Sequence, residues 1–255
     1  MHILITNDDG ISSPGLLALA RALKHLGRVS VLAPDHNWSA SGHVKTLYRP
    51  LRVNPEFLAD GTPAFSSDGA PSDCVALGVL GILDEKIDLV VSGINAGNNL
   101  GNDMTYSGTV TAAMEAAIFG IPAFAVSLNR AKNIRDMDFS SAAKVAANIS
   151  QKIIQNGLPE RTLLNVNVPD LPFEKIKGYQ VTRLGLRIYQ DELVCRQDPQ
   201  GNPYYWIGGE PPSGVIEDET DFGALDKGYV SITPIQMDMT AYQLIDRLKT
   251  WQWEK

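Results

Sequence analysis

The chain has little of what marks several protein classes. Its 255 residues contain two cysteines, Cys74 and Cys195, and no CxxC pair. That excludes a disulfide framework and a cysteine-based structural zinc site, and both thiols are expected in or near the core. Nowhere does an apolar run reach the roughly 18 residues needed to span a bilayer. The opening Met1-His2-Ile3-Leu4-Ile5-Thr6 lacks the basic and long apolar regions of a signal peptide, so a soluble cytoplasmic protein is expected. Positive charge is also short, with 22 Lys+Arg against 29 Asp+Glu and a net charge of -7. Such a balance excludes a broad basic face for a nucleic acid polymer or an anionic membrane. Internal repeats and low-complexity segments are absent, and 44% hydrophobic residues is ordinary globular composition.

Alternating short apolar runs and helical periodicities fill the first two thirds of the chain. Ile3-Leu4-Ile5-Thr6 has the continuous apolar character of a parallel strand buried on both faces. Ser13 and Pro14 can start a helix, Leu16, Leu19, Ala20 and Leu23 form its stripe, and Gly27 follows as a stop. Val29 to Pro34 is the next strand, completing a βαβ unit. Further helices are expected over 70–83, 109–119 and 139–156, and strands over 88–92, 122–128 and 163–168. This pattern predicts an α/β, Rossmann-like, doubly wound and mostly parallel sheet as a core over residues 1–168. Residues 169–255 read as a β-rich extension with strand-like pieces at 178–184, 204–207 and 228–233. It ends in a helix over 240–251 and is expected to pack on the core or on a partner subunit.

Ligands of open α/β sheets bind beyond the carboxyl ends of the strands. Three polar loops follow strands directly and therefore share that edge. The first is Asn7-Asp8-Asp9-Gly10. Adjacent carboxylates repel, and a hard divalent cation relieves that repulsion; an Asx-turn that shapes the helix entry is the competing explanation. The second, Pro34 to His43, presents the hydroxyls of Ser39 and Ser41, while His36 and His43 lack the spacing of a zinc motif and read as surface or substrate-adjacent residues. The third, Ser92 to Thr109, is long, aperiodic and rich in Gly and Asn, which is usual for a functional loop. It delivers Ser107-Gly108-Thr109 to a helix start, a ready phosphate cradle, although Ser107 or Thr109 could serve only as an N-cap. No GxGxxG, Walker lysine or GxSxG elbow is present.

Taken in order, Ile3 to Gly10, Ala33 to Ser39, Ser92 to Gly97, Tyr106 to Val110, Asn165-Val166-Asn167-Val168-Pro169 and Gly228 to Pro234 closely resemble the SurE family of stationary-phase survival proteins. The resemblance covers nearly the whole chain. It implies a metal-dependent phosphomonoesterase acting on nucleoside monophosphates, a 5′-nucleotidase with 3′-nucleotidase and exopolyphosphatase activity alongside. Carried over by motif, one divalent cation, Mg²⁺ or Mn²⁺, falls to Asp8, Asp9, Ser39 and Asn95, with Asp8 and Asp9 also catalytic. Substrate falls to Asn98, Ser107, Gly108 and Thr109. The resemblance further implies a homodimer or homotetramer in which the C-terminal region reaches across subunits. One departure is visible: Asn98 stands where typical members carry proline, which frees φ and restores a backbone N–H.

The mechanism leaves two roles open for the aspartates, orienting an attacking water or attacking directly to give an acyl-phosphate. Two other readings compete. A small-sugar deacetylase also places acidic residues after a first strand but recruits histidines to zinc. A non-enzymatic receiver-like domain binds Mg²⁺ with an acidic pair but needs an Asp where this chain has Ser92-Gly93-Ile94-Asn95. The net negative charge does not oppose a phosphate substrate if those carboxylates recruit the cation and backbone amides supply the rest of the positive potential.

Overall fold

The computed structural model describes residues 1–129 and 137–253, without the side chains of 210–212. A nine-stranded sheet of order β3-β4-β2-β1-β5-β6-β7-β11-β8 organises it. Its central strands are β1 (His2–Thr6), β2 (Arg28–Pro34), β5 (Leu89–Ala96), β6 (Ala123–Leu128) and β7 (Thr162–Val168). All of these run parallel. β3 (Val53–Phe57) lies antiparallel to β4 (Pro63–Ser67), and β11 (Val230–Gln236) lies antiparallel to β7. β8 (Tyr179–Val181) closes the far edge beside β11. The sheet thus continues past residue 168 into the C-terminal third of the chain.

Helices cover both faces because the central strands alternate apolar side chains to either side. α1 (Pro14–Leu23) and α4 (Ser140–Asn156) share one core with Ile3, Ile5, Val91 and Phe124. α2 (Pro71–Leu77) and α3 (Gly108–Ile118) share the other with Leu4, Val90, Ala125 and Leu163. Full burial of one such Leu or Ile stabilises the fold by about 1.5–3 kcal/mol. Between β1 and β5 the strand order reverses, since the chain first builds outward through β2 and β4 and then returns to the other side of β1. That reversal opens a crevice at the strand ends, the usual ligand site of this architecture.

Several expectations need correction. The 70–83 helix is an α-helix only to Leu77 and continues as a π-helical turn to Ile82, where Gly81 takes φ +133°. α1 ends at Leu23, short of Gly27. Residues 204–207 belong to a much longer hairpin of β9 (Arg187–Gln197) and β10 (Pro203–Gly214) that forms its own two-stranded sheet. Cys74 is buried as expected, but Cys195 is exposed because that hairpin is open on both faces. β3, β4 and the short α5 (Asp221–Asp226) had no sequence expectation. The terminal helix, α6 (Tyr242–Lys249), buries none of its residues. No helix among the described residues is long and apolar enough to cross a membrane.

Candidate active site

The loop after β1 is shaped by Asn7 rather than by the aspartates. Asn7 Nδ2 donates to Gly10 O at 3.0 Å and its Oδ1 accepts from Gly10 N–H at 3.2 Å, with Gly10 at φ +99°. The Asx-turn is therefore real, and it leaves Asp8 and Asp9 available. Asp8 is only 3% exposed. Its Oδ1 accepts from the Thr109 hydroxyl, and its backbone carbonyl accepts from Trp38 N–H at 2.8 Å. Burial pushes the Asp8 carboxyl up to about 6; the Thr109 hydrogen bond opposes this rise and the neighbouring Asp9 charge adds to it. Burial also raises Asp9, against the pull of a hydrogen bond from Ala96 N–H to Asp9 Oδ2 at 3.2 Å.

The start of α3 packs directly on Asp8. Ser107 is the N-cap, its Oγ accepting from Val110 N–H at 3.2 Å, so the capping explanation is correct as far as it goes. A Cβ at Gly108 would lie 2.7 Å from Asp8 Cβ, which makes glycine the residue that lets helix and carboxylate meet. The Thr109 hydroxyl faces Asp8.

A cleft of about 320 Å³ opens at this point, lined by Asp8, Ser39, Ala40, Asn95, Asn98, Asn99, Asp103, Tyr106 and Ser107. Five residues expected at the site, Asp8, Ser39, Asn95, Asn98 and Ser107, thus line one cleft. Asp9, Gly108 and Thr109 adjoin the lining through contacts with Ala96 and Asp8. Ser39 is exposed on its loop, and its N–H donates to Asn37 Oδ1 at 2.8 Å. Asn95 turns its amide nitrogen to Gly97 O at 2.8 Å.

Sequence reasoning passed over Asn99, Asp103 and Tyr106. Asn99 is locked on every side: its N–H donates to Asn167 Oδ1 at 2.8 Å, and its carbonyl accepts from Asn165 Nδ2 at 2.8 Å and Asn167 Nδ2 at 3.1 Å. Its own Nδ2 donates to Ser127 Oγ at 2.8 Å. Next to it, Asn98 Nδ2 donates to Asn129 Oδ1 at 2.7 Å. Asp103 is held from the base of β9, by Arg187 Nε at 2.6 Å and by the Tyr189 hydroxyl. The adjoining turn is pinned by Asp221, whose carboxylate accepts from Gly101 N–H at 2.7 Å and Gly185 N–H at 2.8 Å.

Comparison with known proteins places this architecture. The family described as Survival protein SurE matches residues 3–191. The chain belongs to the SurE family. It is similar to the protein named 5′-nucleotidase SurE of Chloroflexus aggregans, 52% identical over 100% of both chains. The protein of that name from Herpetosiphon aurantiacus is 53% identical over 99% of each. A crystal structure of the Sure protein from Aquifex aeolicus is 44% identical, covers 98% of both chains and superposes with a TM-score of 0.83.

Whether this SurE family member can hold a cation is a question of donor chemistry. Asp8, Asp9, Ser39 and Asn95 offer carboxylate, hydroxyl and amide oxygens, a hard set matched to Mg²⁺ or Mn²⁺. Asp8 is buried beside Asp9, an arrangement that penalises its charge and that a cation would compensate. Among the described residues no three His, Cys, Asp or Glu side chains converge as a zinc site would require. Among the described residues neither histidine nor lysine lines the cleft. A larger hollow of about 550 Å³ beside α4, floored by Ile149, Ile153, Leu164 and Ile232, is lined by no carboxylate among the described residues.

Proposed function

We propose that this SurE family member is a metal-dependent phosphomonoesterase that hydrolyses nucleoside 5′-monophosphates to nucleoside and phosphate. One observation carries the reading: oxygen donors from three separate strand-end loops meet the start of α3 in one cleft at the sheet's crossover point. Full-length relatives named 5′-nucleotidase SurE support the substrate class. Asp8, Asp9, Ser39 and Asn95 hold the cation, which when bound neutralises phosphoryl charge and lowers the pKa of an attacking water. Ser107, Gly108 and Thr109 present the helix start to the phosphoryl oxygens, where backbone N–H groups and the helix dipole stabilise added negative charge. Asn98, which also lines the cleft, orients the phosphate, and Asp8 and Asp9 orient the nucleophile.

Because these groups address the phosphate itself, the same cleft accepts 3′-monophosphates and terminal polyphosphate groups as secondary substrates. Assembly into a homodimer or homotetramer through residues 169–255 completes the proposal. It draws support from α6 and from the exposed Tyr205, Trp206 and Ile207 of β10, apolar surface that a monomer leaves in water. The reaction is tested by phosphate release from the four 5′-monophosphates, their 3′-isomers and polyphosphate, with Mg²⁺, with Mn²⁺ and with chelator. Cation-dependent release from at least one 5′-monophosphate is expected. No release from any of them would overturn the assignment.

A further inference from the structure

Ser39 lies in the segment between β2 and β3, which has almost no regular structure of its own and so relies on outside contacts for order. α3 supplies those contacts from a residue that the proposed chemistry does not use. Glu115 lies on α3, about two turns beyond Ser107, among Ala112, Ala113, Ala116 and Ala117. It is 3% exposed, and burying a carboxylate is costly unless it is paired. Two side chains of the Ser39 segment pair it: His43 Nε2 lies 3.0 Å from Glu115 Oε2, and Lys45 Nζ donates to Oε1 at 3.1 Å. The His43 and Lys45 contacts hold the Glu115 carboxyl below its ordinary range, against the effect of burial. Nearer the cleft, Thr111 Oγ1 lies 3.0 Å from Gly42 O, and Gly42 N–H donates to Tyr106 O at 3.0 Å. Past Lys45, Thr46 donates its N–H and hydroxyl to Asp73 of α2 at 2.9 and 2.7 Å.

We propose that Glu115 is a positioning residue for the cation site, clamping the segment through His43 and Lys45 so that Ser39 stays on the cleft wall with Asp8 and Asn95. This inference rests on the function proposed above. The same helix then does two jobs: its first turn faces the phosphate, and its third fixes the loop that brings the hydroxyl ligand. His43, read from sequence as a surface or substrate-adjacent residue, acts at a distance from the cleft, as does Lys45.

Hydrogen exchange and Mn²⁺ binding test the clamp in the full-length protein. In cation-free protein, Glu115→Gln is expected to speed amide exchange across residues 38–44 while α3 keeps its protection. Mn²⁺ affinity, followed by the electron paramagnetic resonance of free ion, is expected to weaken about tenfold, the usual scale for loss of an outer support of a metal ligand. His43→Ala with Lys45→Ala, changed at the segment's side of the contact, gives the same pair of effects should Glu115→Gln fold poorly. Lys45→Arg is expected to keep Mn²⁺ affinity within about twofold, since it retains the charge. Ser39→Ala and Glu115→Gln should be non-additive, because both act through one hydroxyl. Unchanged loop exchange, or losses that multiply in the double variant, would overturn the clamp. Wild-type protein without Mn²⁺ affinity would instead overturn the cation reading, and the exchange data would then judge the clamp alone.

Discussion

The Thr109 hydroxyl donates to the carboxylate of Asp8 across a separation of 101 residues, so the first turn of α3 and the end of β1 form one buried polar contact. This bond is the main influence opposing the rise that burial imposes on Asp8. Protons and cation compete for Asp8, so cation affinity should climb as pH rises through about 6. Thr109→Val removes a bond to the charged form and should move that climb to higher pH, measured by Mn²⁺ titration between pH 5 and pH 8. An unmoved profile would disconnect Thr109 from the ionisation of Asp8.

Asp8 should also be a source of instability in the cation-free protein. Its native pKa of about 6 exceeds the ordinary 3.8, so the native state holds more protons between those values. Stability therefore falls as pH rises through that window, by about 3 kcal/mol in order of magnitude, and the penalty is complete above it. Asp8→Asn removes the penalty while abolishing turnover. In chelator at pH 7.5 the variant should resist urea better than wild type, with the gap closing towards pH 4. A wild-type protein of equal or greater stability at pH 7.5 would refute this.

Gly108→Ala tests the close approach of helix and carboxylate. Its Cβ would fall 2.7 Å from Asp8 Cβ, so Asp8 or the helix start must move. A loss of tenfold or more in kcat/KM is expected with the global fold retained by circular dichroism, since sub-ångström misplacement in such a site is costly. Wild-type kinetics would mean that the contact relaxes without consequence.

Asn167 supports the cleft wall from β7. Asn167→Ala leaves the Asn99 N–H without its acceptor and takes one of two donors from the Asn99 carbonyl. A destabilisation of about 1–3 kcal/mol is expected from urea unfolding, with a raised KM as Asn98 and Asn99 shift. Unaltered stability and KM would show that the Asn99 turn holds its shape by itself.

The parts of this protein legible in its sequence are those where burial is two-sided or periodic. β1, β5, β6 and β7 show as apolar runs because helices cover both faces, and α3 and α4 show as amphipathic or apolar periods ended by Gly120 and Gly157. β3 and β4 escaped notice because Pro55 and Pro63 argue against strands; Pro55 is tolerated because β3 is the edge strand, and Pro63 because it is the first residue of β4. The β9–β10 hairpin buries neither face, so no period-two signal marks it and only the strand-like 204–207 showed. Asn165 and Asn167 alternate with Val166 and Val168 like a half-exposed strand, yet both are fully buried and serve the cleft loop. At the site, strand-end position picked out Asp8, Ser39 and Ser107, while Asn95 came from the family resemblance. The support of Asp103 by Arg187 and of His43 by Glu115 spans 84 and 72 residues respectively and leaves no local trace.

Phosphate release from a nucleoside 5′-monophosphate as a function of added Mn²⁺, in wild type, Asp8→Asn and Asn95→Ala, bears most directly on the central claim. Wild type should be silent in chelator and saturate with Mn²⁺, while both variants, folded by circular dichroism, should lose activity by at least a hundredfold and bind Mn²⁺ more weakly. Wild-type turnover that persists in chelator, or near-normal rates in either variant, would contradict the account.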